Sequence, residues 1–366
     1  MSTNDTIETG QLCSLMEYPK KRQQQILEIL LNGEALSSSR VNVELAQNGE
    51  KLSLVTVKRA LSEMLDSGLL VMRGVGPSTS YEISTLGRLL ADVDPHSYCA
   101  VEPDKRTGME GFNFPVVDGL PDELFSRDEQ KILEDATVEY RRRTKEIPPA
   151  VQKKELERLV IELSWKSSRI EGNTYTLLDT EKLILEHKEA VGHPRDEAQM
   201  ILNHKEAFLF VHENSKRFTS LTRANLEEIH TLLVKDLGVG LGVRHSPVGV
   251  LGSKYRPLDN VHQITDALAG LFQAVARSRD PYSKALIALL GVSYIQPFED
   301  GNKRTSRLAT NAILLAHGAA PLSYRSVDEN EYREAMLVFY ELNSIVPLKK
   351  IFISQYDFAA RNYAVA

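Results

Sequence analysis

Residues 295–307, Ile-Gln-Pro-Phe-Glu-Asp-Gly-Asn-Lys-Arg-Thr-Ser-Arg, limit what this chain can fold into more than any other stretch. The apolar run over 285–292 ahead of them predicts a buried helix. Behind them Leu308, Ala312 and Leu315 recur at helical spacing, so a second helix is expected to begin near Lys303. Asp-Gly-Asn is ordinary turn chemistry and starts many helices. Here, however, it is followed at once by Arg304 and Arg307, three residues apart and able to aim at one polyphosphate from the same helix face. Asp300 is a ligand type for a hard cation such as Mg²⁺. Gly301 lets backbone approach a ligand closely, and the first turn of the next helix offers unpaired N–H groups. The stretch reads as an anion site with a built-in counter-charge.

The bulk numbers set the frame for that site. A chain of 366 residues has room for two or three domains, and 42% hydrophobic with 26% charged residues describes a soluble globular protein. A net charge of −6 argues against a generally nucleic-acid-coating surface, though not against a local basic patch. Cys13 and Cys99 form neither a disulfide framework nor a zinc pattern, which suits a reducing cytosol. The first residues lack the basic and apolar regions of a signal peptide, and no apolar run reaches the roughly 18–20 residues of a membrane span. A cytoplasmic location with no membrane partner is the expectation.

Taken in order, residues 1–18 are polar and aperiodic and read as an arm, and residues 19–92 predict a winged helix-turn-helix unit. Its first helix buries Ile26, Leu27, Leu30 and Leu31, a second lies over 41–46, and a third, capped by Ser53 and stopped by Gly68, carries Val57, Leu61 and Leu65. Strands over 69–73 and 80–83 follow, with a turn at 74–77. Lys58 and Arg59 on the third helix and Arg73 on the hairpin are candidate DNA contacts. Acidic and basic residues nearly balance in this unit, so a protein-docking or dimerisation role stands beside DNA binding, and a homodimer is left open.

Residues 93–150 read as a connector, broken by Pro103, Pro115, Pro121 and several glycines, with one charged helix over 128–145 stopped by Pro148 and Pro149. A helix over 153–171 follows, with Leu156, Leu159, Val160, Leu163 and Ile170 on its apolar stripe. Gly172 suits its C-terminal cap, yet Glu171 sits where the helix dipole prefers a cation. Further helices are expected over 179–188, 196–214 and 224–234. The glycine-rich segment at 238–242 lacks both the spacing and the preceding strand of a dinucleotide loop. Val248, Gly249, Val250, Leu251 and Gly252 read as a short hairpin, and a last helix is expected over 328–342.

The 296–307 stretch resembles the Fic family signature, His-x-Phe-x-(Asp/Glu)-Gly-Asn-(Gly/Lys)-Arg-x-x-Arg. Phe298, Asp300, Gly301, Asn302, Lys303, Arg304 and Arg307 fall in place, and Gln296 stands at the family's catalytic histidine. The run from Ser167 to Gly172 resembles the family's inhibitory motif, (Ser/Thr)-x-x-x-Glu-(Gly/Asn), with Ser167, Glu171 and Gly172 in register. The resemblance implies a mainly α protein: a Fic-type helical core over 151–366 with a small β-hairpin flap, its inhibitory helix (about 153–172) on the N-terminal side, preceded by the winged helix.

It also implies a function. Fic proteins of this type transfer AMP from ATP, with Mg²⁺, to a Ser, Thr or Tyr hydroxyl of a target protein. By that likeness Asp300 would hold the metal, Gly301, Asn302 and Lys303 would cradle the phosphates, with Asn302 at the α-phosphate, and Arg304 and Arg307 would clamp the leaving group. Glu171 would salt-bridge Arg307 and block the γ-phosphate. Val248, Gly249, Val250 and Leu251 would present the target segment, and Tyr332 and Tyr340 would meet the base. Gln296 cannot hold a proton near neutral pH, and losing a positioned base costs about 10²–10⁴-fold in rate. Glu299 and His245 are substitute candidates, whereas His204 and His230 sit in helical patterns that suit structural roles. The chain is therefore expected to be either a self-inhibited adenylyltransferase or a catalytically silent nucleotide-binding regulator acting through the winged helix. The Lys303 variant also occurs in Doc-like phosphotransferases, but Gly301 and the Ser167–Glu171 motif favour AMP transfer.

Overall fold

Serine caps launch the first helices. In the computed structural model, Ser37 and Ser53 accept the backbone N–H of Arg40 and Thr56, starting α2 (Ser38–Gln47) and α3 (Leu54–Asp66) behind α1 (Lys21–Leu30). The structure describes residues 18–31 and 33–365; the arm expected before Tyr18, with Cys13, lies outside the described residues. Gly68 takes φ +73° and turns the chain out of α3, a conformation that costs an L side chain. Strand β1 (Leu70–Arg73) then pairs antiparallel with β2 (Ser80–Ile83), Leu70 opposite Ile83 and Arg73 opposite Ser80. Val57, Leu61 and Met64 of α3 meet Ile26, Leu30, Leu70 and Ile83 in one apolar cluster. Val338 and Leu342, from far downstream, are buried in that same cluster. A fully buried side chain of this size stabilises by about 1.5–3 kcal/mol, so the N-terminal unit is fastened to the rest of the chain by shared core.

The connector is more ordered than its prolines and glycines suggest. It begins after α4 (Thr85–Leu90) and contains α5 (Pro95–Cys99) and α6 (Phe114–Asp118). Val116, Val117, Leu120, Leu124 and Phe125 are buried in the large helical core. A reciprocal cap follows: Ser126 Oγ accepts from the Glu129 N–H and Glu129 Oε2 accepts from the Ser126 N–H, opening α7 (Arg127–Glu146). Pro149 sits in the first turn of α8 (Pro149–Ile170), where its missing N–H costs nothing. Then come α9 (Leu177–Glu186), α10 (Arg195–Glu213) and α11 (Arg223–Leu233). The chain closes with α12 (Val261–Arg277), α13 (Pro281–Ile295), α14 (Asn302–Ala316), α15 (Glu329–Leu342) and α16 (Val346–Asn362).

Every residue of α13 from Ala285 to Ile295 is buried, as its all-round apolar sequence requires. It is the central helix, with α14 and α12 packed on it. Contact with α12 is close: a Cβ on Gly291 would lie 2.2 Å from Leu271 Cδ1. The fold is mainly α, and the paired strands among the described residues are β1 and β2. Two long helices, α12 and α16, occupy stretches to which the periodic reading assigned no element. No helix among the described residues is long and apolar enough to cross a membrane.

Candidate functional site

The loop between α13 and α14 is built from its own side chains outward. Gln296 ends α13 in the left-handed region, φ +51°. Its side-chain Nε2 donates to the Ser293 carbonyl at 2.7 Å, and its main-chain oxygen accepts from the buried Arg244 Nε at 2.6 Å. The amide is thus turned back on its own helix. Phe298 is fully buried and stacks on His230, ring centroids 3.8 Å apart. Asn302 closes the turn on both sides, Oδ1 accepting the Phe298 N–H and Nδ2 donating to the Phe298 carbonyl, each at 2.8 Å. Both ends of its amide are thus engaged within the loop.

His230, on α11, braces the same loop. Its Nε2 lies 3.0 Å from the Asp300 carbonyl, an acceptor only, so the ring donates from Nε2. Burial pushes its pKa down to about 4, which keeps the ring neutral at pH 7. Gly301 takes φ +76°, and a Cβ there would meet Val234 Cγ1 at 3.1 Å. No side chain caps the first turn of α14, so its N–H groups are left without a side-chain acceptor, as an anion site requires.

Two arginines stand behind that turn. Arg304, 2% exposed, pairs with Asp300 Oδ2 at 3.0 Å and donates to the Leu233 carbonyl. Arg307 is fully buried: Nε and Nη2 donate to Ser167 Oγ and the Ser167 carbonyl, both at 2.8 Å, and Nη1 lies 2.9 Å from Glu171 Oε1. The other carboxylate oxygen of Glu171 is 3.6 Å from Lys303 Nζ. Burial raises the Glu171 pKa, but Arg307, Lys303 and Arg304 outweigh it and hold the carboxyl below its ordinary 4.5. At 2.9 Å the two opposite charges are in direct contact, the carboxylate on one side of the guanidinium and Ser167 on the other.

The end of α8 is clamped by α15, which the sequence reading did not foresee. Arg333 Nε donates to the Ile170 carbonyl at 2.7 Å, and Glu329 pairs with Lys166 at 2.6 Å and Arg169 at 3.1 Å. Gly172 then takes φ +98° and leaves the helix. Arg333 and Lys166 fall outside both motifs, so no local signal marks them.

Other expected residues are placed differently. Tyr332 and Tyr340 are 1% and 0% exposed and offer no open face to a base. Tyr332 lies beneath the Arg307 guanidinium at 5.7 Å, and Tyr340 stacks on Tyr255 at 5.5 Å. The hairpin expected at 248–252 is not formed: Val248, Gly249 and Val250 run on to a turn at Leu251 and Gly252 without a paired strand. Arg244 takes up the Ser246 and Leu258 carbonyls there, and Arg256 pairs instead with the connector at Gly111. Of the substitute bases, Glu299 Oε2 accepts from the Gly240 N–H at 3.0 Å and His245 is exposed. His204 is fully buried with neither ring nitrogen hydrogen-bonded, and burial pushes its pKa well down. In the N-terminal unit Arg59 pairs with Glu63 and Arg73 with Glu82, whereas Lys58 is exposed.

The residues can also be weighed as a metal site. Among the described residues no group of three or more His, Cys, Asp or Glu is placed to hold an ion. Asp300, with 66% of its side chain exposed beside the uncapped turn, fits the single-carboxylate role that Mg²⁺ takes when phosphates supply its other ligands.

Comparison with known proteins points the same way. Residues 220–314 match the Fic/DOC family. A protein adenylyltransferase Fic of Nematostella vectensis is 31% identical over 175 residues, 46% of this chain and 41% of that protein. One of Drosophila yakuba is 30% identical over 179 residues, 46% of this chain and 34% of the relative. The chain thus spans well under two thirds of the length of these relatives. Among solved structures, a Fic family protein of Desulfovibrio desulfuricans has a TM-score of 0.54 at 21% identity, covering 66% of this chain and 75% of that one. Fic-1 of C. elegans gives 0.54 at 19% identity, covering 65% and 70%. These two likenesses concern the fold.

Proposed function

We propose, from the match of residues 220–314 to the Fic/DOC family and from the site's geometry, that this site binds Mg-ATP and serves transfer of AMP to a Ser, Thr or Tyr hydroxyl of a protein, held off by Glu171. The observation that carries the reading is the buried Arg307, whose guanidinium is occupied by Ser167 and Glu171 together. A carboxylate in that place is a resident anion where a phosphate would sit.

In the transfer, the hydroxyl oxygen bonds to the α-phosphorus, the bond to the β-phosphate oxygen breaks, and pyrophosphate leaves with that electron pair. The uncapped first turn of α14 receives phosphate oxygens, with Arg304, Arg307 and Lys303 balancing the leaving charge. Asp300 would hold Mg²⁺, which when bound neutralises phosphate charge. Phe298, His230 and the Asn302 amide keep the loop in one shape, so the N–H groups are preorganised. The hydroxyl proton has no positioned acceptor, because Gln296 donates to Ser293 and has no basicity.

That last point favours a second reading, a silent nucleotide-binding regulator acting through the N-terminal unit on DNA or protein. One experiment separates the two. Mg-ATP is titrated into the protein and into Glu171→Gly by calorimetry, and both are then incubated with α-labelled ATP. Labelled protein from Glu171→Gly supports the transferase. ATP binding without labelling, with labelling restored by Gln296→His, supports the regulator. Absence of ATP binding at millimolar concentration in both overturns the site.

A further inference from the structure

Tyr340, Glu341 and Leu342 are consecutive residues of α15 that face three different bodies. Tyr340 stacks on Tyr255 in the large core, and Leu342 is buried in the core of the N-terminal unit. Between them Glu341 is wholly buried, a costly place for a carboxylate unless every oxygen is used. Both are used. Oε2 accepts from the Tyr98 hydroxyl at 2.7 Å; Oε1 accepts from the Ser253 hydroxyl at 2.6 Å and from Arg106 Nη1 at 3.2 Å.

Arg106 completes the network from the connector. It donates to the Gly252 carbonyl at 3.0 Å, to the Val101 carbonyl at 2.8 Å and to the Cys99 carbonyl at 3.3 Å. Its own carbonyl accepts from Lys254 Nζ at 2.6 Å. Just beyond, the Met109 N–H reaches the Glu341 carbonyl and the Arg256 N–H reaches the Glu110 carbonyl, each at 2.7 Å. Gly108, at φ +145°, runs so near α15 that a Cβ would come within 2.8 Å of the Glu341 carbonyl oxygen. The 252–256 segment, which forms no hairpin of its own, is therefore shaped from outside by the connector and one buried ion pair.

We propose that Glu341, held by Arg106, is a positioning residue that fixes the 250–256 segment relative to the N-terminal unit, and so sets how a protein segment docks beside the site. The proposal rests on reading Val248 to Leu251, which lead into and overlap that segment, as the target-docking edge. A well-packed apolar side chain would stabilise this junction equally well. The carboxylate and guanidinium add direction, because they bond one turn, one connector and one helix in a single arrangement.

The test is amide hydrogen exchange on the full chain carrying Glu341→Gln, Arg106→Met or Ser253→Ala. Faster exchange of the 250–256 amides by tenfold or more in Glu341→Gln and Arg106→Met is expected, with α3 amides unchanged. Ser253→Ala, which leaves the ion pair intact, should show a smaller rise at 250–256 alone. Unchanged exchange at 250–256 in both Glu341→Gln and Ser253→Ala overturns the proposal, and those two variants decide if Arg106→Met does not fold. A second arm uses the Glu171→Gly/Gln296→His background with α-labelled ATP and total lysate protein as acceptor: adding Glu341→Gln should lower labelling of lysate protein severalfold and leave KM for ATP unchanged. If that background labels nothing, the transfer reading fails, while the exchange result still decides the positioning role.

Discussion

Arg307 Nη1 and Glu171 Oε1 lie 2.9 Å apart, joining the start of α14 to the C-terminal cap of α8. The pair is buried on the arginine side and flanked by Lys303. An anion arriving at Arg307 would have to compete with that carboxylate.

Removing the carboxylate should therefore exchange stability for affinity. In Glu171→Gly, Arg307 keeps Ser167 but loses its counter-charge, and we expect a loss of about 1–3 kcal/mol without ligand. Mg-ATP should bind about tenfold or more tightly, the factor that follows from removing a lock worth about 1.4 kcal/mol. Calorimetric titration and thermal melts with and without Mg-ATP check both. Equal affinity in the two proteins would show that Glu171 does not compete with nucleotide.

Acid should loosen the same contact. The folded-state pKa of Glu171 lies below its ordinary 4.5, so its ionised, paired form contributes stability above 4.5. That contribution disappears as pH falls through the folded value. Stability measured between pH 6 and pH 3 should fall less steeply in Glu171→Gln than in the parent. Superimposable acid profiles would assign the slope to other carboxylates.

The missing base gives a third expectation. Gln296→His in the Glu171→Gly background should raise incorporation of label from α-labelled ATP by about 10²–10⁴-fold, the usual worth of a positioned general base. The left-handed backbone at 296 already suits a short polar or imidazole side chain. An unchanged rate would mean that the proton is taken elsewhere.

A packing prediction concerns the scaffold. Gly291→Ala places a methyl 2.2 Å from Leu271 Cδ1 at the α12–α13 crossing, and overpacking of that kind costs about 1–3 kcal/mol. Pairing it with Leu271→Ala should cost less than the sum of the two single changes in a denaturation cycle. Additive costs would place the strain elsewhere.

How much of this was legible beforehand differs residue by residue. Gly68, Ser53 and the apolar run of α13 act through local backbone chemistry, which is why those boundaries could be read directly. By contrast α12 and α16 lie outside the elements that the periodicity predicts, and the connector's Val116 and Phe125 are core residues rather than linker. Prolines and glycines mark where regular structure breaks but do not say whether the irregular chain is buried.

For the site, residue order alone carries the chemical inventory: an acid, a glycine, two arginines, a glutamate at the wrong end of a helix dipole, and a glutamine where a base would stand. Residue type carries charge, basicity and backbone freedom, and these need no fold to be read. Which of these groups meet is set by the packing of the helices. That packing spent Asn302 on Phe298, buried Tyr332 under Arg307, replaced a hairpin at 248–252 with a turn, and clamped Ile170 with Arg333. Those pairings join residues far apart in the chain, and their partners are selected by packing around α13, which no local pattern encodes.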